Sequence, residues 1–416
     1  MLNTLKHLPL WFPIYLYWAI LLLWQNVRSV GNRSGADMII KVGLIFMLLV
    51  VFLLRAKKMN GINTIFVLCL TATTLIQMLW FQSISLFEIV YYFYPVFLCF
   101  CVYVVANDEK IDKSQLIRFS NLVIATIWYI VIYALIFCTE QFIGAFSLQT
   151  AYGNELSSFL VSNYEYGLYL SFGILFCIIN LELMVSNSKL KVYYIVTIVV
   201  FFANLILTFS RTSIIACASM IIVYLALTKK GKTKRFVMLV AFFVFGAYLL
   251  SSELRTFVNE IVFKGNANSG RSDLAELGMD LYIHSNILEQ VFGMEYDKFS
   301  DLVYESTQHT SLHNAYIQTI LTSGIKGIAF LIAVVFSTIA LGIKTIKEKD
   351  KYRNIAAICL GLTVSSLVFM ITVTGSLFAS SIDSYFLTMC SIIIPKYVFN
   401  SLRSDTFDKK LKKFDF

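Results

Sequence analysis

The chain has 416 residues and a formal charge of +9, with 58% hydrophobic and only 14% charged side chains. A soluble domain carries about 25% charged residues, so a water-soluble fold of this size is excluded and lipid must be the solvent for most of the chain. The net charge alone could suggest a nucleic-acid partner, but its distribution along the chain argues against one.

A helix needs about 20 apolar residues to cross the hydrocarbon layer. In chain order, apolar runs lie at 8–25, 38–54, 62–81, 86–106, 116–138, 158–183, 192–209, 211–228, 236–251, 313–342, 355–374 and 380–398. The first has Lys6 before it and no small-residue cleavage site after it, so it reads as a retained helix and not as a cleaved leader. Between the runs stand basic clusters at 55–58, 110–118, 189–191, 229–235, 344–353 and 396–413. Basic short loops stay in the cytoplasm. With about twelve spans and both termini cytoplasmic, 25 of the 34 basic residues fall on that one side. The expected fold is therefore an all-α polytopic membrane protein, a single domain over 1–416 with a basic cytoplasmic tail at 399–416. Basic inner loops also suit anionic lipid headgroups, so membrane lipids are expected partners and nucleic acid is not.

The run 192–228 lies unbroken between two basic clusters, which both stay inside only if the chain crosses twice. Its single strong charge, Arg211, then marks a tight outer turn between two short helices. One long helix would bury that Arg at a cost of at least about 2.5 kcal/mol. The long segment 252–312, between the ninth and tenth spans, is placed outside. It holds ten acidic and four basic residues, so the outer loop is net negative while the protein is net positive. Within it, Leu274, Leu277, Leu281 and Leu288 recur with helical period opposite Asp273, Glu276 and Asp280, predicting an amphipathic helix over 272–290 with Ser269 as a candidate cap.

All eight cysteines fall in or beside apolar runs and form no CxxC pair, which argues against a disulfide framework or a Cys-based metal site. No GxxxxGK[ST] or GxGxxG is present, so nothing points to a nucleotide phosphate. No internal repeat is evident.

Three outer-face features can carry chemistry. In Ser210-Arg211-Thr212-Ser213, an Arg flanked by hydroxyls at the membrane surface suits a phosphate or diphosphate, since its planar fork bonds two oxygens at once. The plainer reading is an Arg reaching from a helix end to the interface. In Asn268-Ser269-Gly270-Arg271-Ser272-Asp273, Gly270 permits close backbone approach and a helix N-terminus follows, which together suit an anion. The plainer reading is a capped helix start with Arg271 paired to Asp273. In His309-Thr310-Ser311-Leu312-His313-Asn314-Ala315-Tyr316, two His stand four residues apart where the chain re-enters the membrane. A neutral imidazole there is a candidate general base. Zinc is disfavoured, because Thr310 stands where an HExxH pair has its Glu and no third ligand is evident. Asn314 can orient His313 or bind a sugar hydroxyl. The following run is long for one span. Gly324 and Gly327 are placed to break or tilt it, and Lys326 then lies at depth, where a Lys is a functional candidate; the plainer reading is a partner for Asp383 or Glu165.

Taken in order, Ser210-Arg211-Thr212, Ser269-Gly270-Arg271, and His313-Asn314-Ala315-Tyr316 before Gly324-Ile325-Lys326-Gly327 resemble the motifs of the bacterial O-antigen polymerase and ligase superfamily. So does the layout of about twelve spans with a large outer loop before the third motif. The resemblance implies a GT-C-like membrane glycosyltransferase in the bacterial cytoplasmic membrane, with its site facing the periplasm or outside and needing no metal or cofactor. It implies an undecaprenyl-diphosphate-linked oligosaccharide as donor and acceptor, and a chain-length regulator as a further partner. Carried over, Arg211 and Arg271 hold the leaving diphosphate and His313 orients or deprotonates the acceptor hydroxyl. Ser210, Gly270, His309, Asn314, Tyr316 and Lys326 are expected to line the substrate site. Ligases more often show HLHNE at the third motif, and this chain reads Ser311-Leu312-His313-Asn314-Ala315 without the Glu, which favours a Wzy-type polymerase. A ligase acting on lipid A–core, or a transporter of lipid-linked sugars without chemistry, remain the alternatives. A transporter tends to show repeats and midplane polar groups, whereas here the polar groups gather outside.

Overall fold

The computed structural model describes residues 11–29, 61–81, 110–147, 155–160, 162–183, 188–228, 271–307, 312–371 and 382–408, with a few isolated positions. All regular structure among them is helical. In chain order these are α1 (Trp11–Ser29), α2 (Gly61–Phe81), α3 (Lys113–Phe137), α4 (Thr139–Ser147), α5 (Asn163–Leu183), α6 (Ser188–Leu207), α7 (Arg211–Leu227), α8 (Arg271–His284), α9 (Ile287–Phe292), α10 (Tyr296–Thr307), α11 (Ala315–Glu348) and α12 (Arg353–Met370). The last helix is α13 (Ile382–Thr388), which runs through a π turn (Met389–Ile393) into α14 (Ile394–Arg403). Among the described residues, five helices are long and apolar enough to cross a membrane: those containing Lys113–Phe137, Asn163–Leu183, Lys189–Leu207, Ala315–Glu348 and Asp350–Met370. The chain is a multi-pass membrane protein. The expected spans at 38–54, 86–106 and 236–251 lie largely or wholly outside the described residues, as do 252–270 and the tail from 409.

Close packing sets helix directions. The Tyr166 hydroxyl donates to Asn204 Oδ1 (3.0 Å), and a Cβ on Gly173 would lie 2.7 Å from the Phe201 ring, so α5 and α6 run antiparallel in contact. Gly167 brings α5 against α7, where a Cβ would meet Ser213 at 2.6 Å. Gly361 brings α12 against α7, where a Cβ would come within 3.0 Å of the Met220 carbonyl oxygen. Small residues at such crossings let backbones approach in lipid, where apolar burial gives little drive. Farther along the α7–α12 pair, Arg353 Nε donates to Leu227 O at 2.7 Å, so these helices are antiparallel. At the core, α5 is buried nearly all round, with Tyr166, Tyr169, Phe172 and Phe176 fully covered. The six described cysteines are all free thiols.

The basic clusters of the described chain gather at one end of the bundle. There the tail backbone at Phe407 accepts from Lys113 N (2.9 Å), Lys349 pairs with Asp405 (2.7 Å) and Arg403 with Glu348 (3.0 Å). Lys351 pairs with Asp408 at 2.5 Å and, with the Tyr352 hydroxyl, holds the Asp408 carboxyl below its usual range.

Two sequence expectations take a different form. Residues 272–290 do not make one helix: α8 stops at His284, and Asn286 starts α9 by accepting from Glu289 N at 2.9 Å. An Asn is a strong N-cap and competes with helix continuation. The 313–342 run is a helix of 34 residues broken at Gly324, whose φ of 63° and ψ of −166° no helical residue adopts. Gly327 stays helical.

Candidate functional site

Arg211 is the first residue of α7, and the chain turns sharply ahead of it. Phe209 has φ of 51°, and Ser210 caps the helix, its Oγ accepting from Ser213 N (3.4 Å) and sharing a hydrogen bond with Ser213 Oγ (2.9 Å). Ser213 Oγ in turn donates to Tyr164 O at 3.0 Å, and Asn163 Nδ2 donates to Thr208 O at 2.9 Å. The Ser210 and Ser213 hydroxyls are therefore buried and spent on building the turn. Arg211 itself is half-buried.

His313 precedes α11 in the same way. It has φ of 49°, and Asn314 caps the helix, its Oδ1 accepting from Tyr316 N (3.1 Å) and Ile317 N (3.2 Å). Positive φ in a non-glycine residue is sparsely populated, costs about 1–3 kcal/mol and concentrates at functional sites. Both motifs thus place a left-handed residue ahead of a polar N-cap. Asn314 has its carbonyl oxygen in the cap. The Tyr316 hydroxyl donates to Leu367 O on α12 at 2.8 Å, acting as a strut between helices.

The struts bring the two helix starts to one end of the bundle. Tyr316 meets the last turn of α12, the ring of Phe369 in that turn lies 6.3 Å from the Tyr164 ring, and the Tyr164 carbonyl holds Ser213. This end lies opposite the basic clusters, since α7 reaches those clusters only at Leu227. Each helix N-terminus carries about half a positive charge, so two N-termini with Arg211 and His313 make an end of the bundle suited to a multiply charged anion.

Arg271 is the first residue of α8. The middle of α8 packs on the start of α11, where a Cβ on Gly278 would meet Ile317 at 2.5 Å and Leu312 at 2.7 Å. Leu274, Met294, Phe299, Val303, Leu312 and Leu321 form a second apolar cluster that fastens the loop helices α8–α10 over this first part of α11. The second motif is thereby carried to the helix of the third. Gly270 and His309 lie outside the described residues.

Lys326 departs from expectation. Its partners are neither Asp383 nor Glu165 but Gln77 Oε1 and Thr73 O (3.5 Å), both on α2. Glu165 instead accepts from Gln25 Nε2 at 3.3 Å. The reason is the break at Gly324, which frees two carbonyls: Leu321 O accepts from Met294 N (2.6 Å) and Thr322 O from Gln77 Nε2 (3.3 Å). Gln77 was not singled out by the sequence reading. An amide in the middle of the apolar run 62–81 is the signal that points to it.

Residues 196–332 match a family model described as O-antigen ligase, Wzy_C. The match runs from α6 to just past the break in α11 and contains all three motifs. The match supports the resemblance of this stretch to the O-antigen polymerase and ligase superfamily, a group of membrane enzymes acting on glycans. No curated protein matches the chain.

Proposed function

From the match of residues 196–332 to the O-antigen ligase family model, we propose that the protein is a polymerase joining lipid-linked oligosaccharide repeat units at the outer face of the bacterial cytoplasmic membrane. The substrates are glycans on an undecaprenyl diphosphate, one serving as donor and one as acceptor. About twelve spans with cytoplasmic termini, in a GT-C-like arrangement, set the basic end inside and the motif end outside.

In the reaction, an acceptor hydroxyl oxygen attacks the donor's anomeric carbon while the bond from that carbon to the diphosphate oxygen breaks. Inversion at that carbon follows. His313 orients the hydroxyl and takes its proton. Arg211 and Arg271 hold the diphosphate and stabilise the charge that grows as it leaves, which is electrostatic catalysis. The N-termini of α7 and α11 add to this field. No step needs a metal or nucleotide. A chain-length regulator is a candidate partner.

The observation that carries this reading is the shared end of α7 and α11, tied through Tyr164, Phe369 and Tyr316, with Arg211 and His313 at the two helix starts. The polymerase reading rests on the third motif, which continues His313-Asn314-Ala315 without a Glu. The test is glycan length in a strain lacking its own copy, complemented with wild type, Arg211→Ala, Arg271→Ala or His313→Ala at matched membrane expression. Wild type restores a ladder and each variant collapses it to single repeat units. A ladder that still forms on the lipid carrier in the strain lacking this protein, but reaches lipid A–core only when wild type is restored, identifies a ligase. Unchanged ladders in all three variants overturn the site.

A further inference from the structure

Lys326 stands just past the break in α11, and its partners among the described residues are neutral. Its ammonium bonds Gln77 Oε1 and Thr73 O and lies 5.7 Å from the centre of the Phe292 ring. Among the described residues no carboxylate pairs with it. A half-buried charge with no counter-ion is costly beside a membrane, and a fold that spends a buried amide to aim it has a use for the charge.

The surroundings fix the depth. The loop helices α8 and α10 expose Asp273, Glu276, Asp280, Lys298, Asp301 and Glu305. This polar layer reaches the break itself, because Met294 N bonds Leu321 O and a Cβ on Gly293 would meet the Thr322 backbone at 2.3 Å. One turn from Gln77, Trp80 is 62% exposed, and tryptophans mark the headgroup level. Lys326 thus lies at the level of lipid headgroups, not at the midplane. Beside it, α2 exposes Leu68, Leu75, Ile76 and Leu79, an apolar flank for a hydrocarbon chain.

We propose that Lys326, aimed by Gln77 at the break in α11, binds the diphosphate of a second polyprenyl-diphosphate lipid, the acceptor, whose chain lies along α2. This rests on the polymerase reading. A polymerase holds two diphosphate lipids at once: one loses its diphosphate at Arg211 and Arg271, and the other keeps it throughout. The acceptor reacts through the far end of its repeat unit, so its diphosphate lies one oligosaccharide away from His313. Lys326 follows His313 by thirteen positions, mostly helical, which is about 20 Å at helical rise, a span a short oligosaccharide bridges. No bond forms or breaks at Lys326, which makes it a binding residue for the acceptor.

The test is titration of the full-length protein in nanodiscs with a fluorescent polyprenyl diphosphate bearing no sugar, so that neither glycosyl transfer nor the repeat-unit sugars enter. Wild type takes up two lipids. Lys326→Gln weakens one of the two sites by roughly tenfold or more, the size of a lost charge-assisted hydrogen bond, and leaves the other unchanged. Lys326→Arg keeps both. Arg211→Ala affects the complementary site. Gln77→Leu, which loses the aim but not the charge, lies between wild type and Lys326→Gln at the same site. A Lys326→Gln curve identical to wild type, or equal weakening of both sites, overturns the proposal. Failure of the polymerase reading shows elsewhere, as a product confined to lipid A–core with the two-site titration intact.

Discussion

At the residue scale, the two positions that precede the caps explain more than the caps alone. Phe209 and His313 both take left-handed backbone, so each motif spends local strain to set the direction of the side chain beside the helix start. Asn314 supplies the offsetting bonds at α11. Asn314→Asp, which preserves an acceptor for Tyr316 N and Ile317 N, is expected to retain polymer length. Asn314→Ala removes the cap, costs about 1 kcal/mol and lets His313 relax from its φ of 49°, so it shortens the ladder and lowers the melting temperature. Equal ladders from both variants would assign Asn314 no positioning part. The places of Arg211 and His313 beside helix starts were legible in the sequence, because an Arg in an apolar run and a His at a membrane re-entry carry a physical cost that needs a reason. The uses of Ser210 and Tyr316 were not legible. A hydroxyl in a motif reads equally as ligand or as cap, and only the geometry shows that Ser210 caps α7 and Tyr316 braces α12.

At the element scale, the break in α11 organises the end of the molecule that carries the loop helices. Gly324 is the hinge: a side chain there would be strained at φ of 63° and would meet Val291 O at 2.3 Å. Straightening the helix would also bury Leu321 O and Thr322 O away from Met294 N and Gln77. Gly324→Ala is therefore expected to detach α9 from α11, costing about 2–4 kcal/mol for strain and lost hydrogen bonds together. Limited proteolysis within 285–307 reads this out, as faster cleavage than in wild type. An unchanged cleavage rate would mean the loop is fastened by its apolar cluster alone. The sequence placed a break at Gly324 or Gly327, while its plainer reading of Lys326, a pair with Asp383 or Glu165, gives way to Gln77 and Thr73. Electrostatic pairing suggested an acid, whereas α2 supplies an amide from an apolar run where one Gln carries no periodic signal. The single amphipathic helix expected over 272–290 divides because Ser285-Asn286 offers a new cap in mid-pattern.

At the scale of the whole molecule, the turn at Thr208–Ser210 and the clustered bases divide the bundle into two chemically different ends. One end is tied by Lys349, Lys351 and Arg403 to the acidic side chains of the tail and of α11. The other carries the starts of α7 and α11 and the overlying loop helices. That polarity was legible because charge placement along the chain obeys membrane insertion. The way α7, α12 and α11 gather the motifs was not, because contacts such as Tyr164 with Phe369 join residues about two hundred positions apart with no mark in local sequence. The central claim is that this chain alone joins lipid-linked repeat units to one another. The most direct test is the purified protein in liposomes with a single lipid-linked repeat unit, a metal chelator, and no lipid A–core. The account predicts a ladder on the lipid carrier, one polyprenyl diphosphate released for each linkage made. Consumption of the repeat unit only after lipid A–core is added would contradict it and make the protein a ligase.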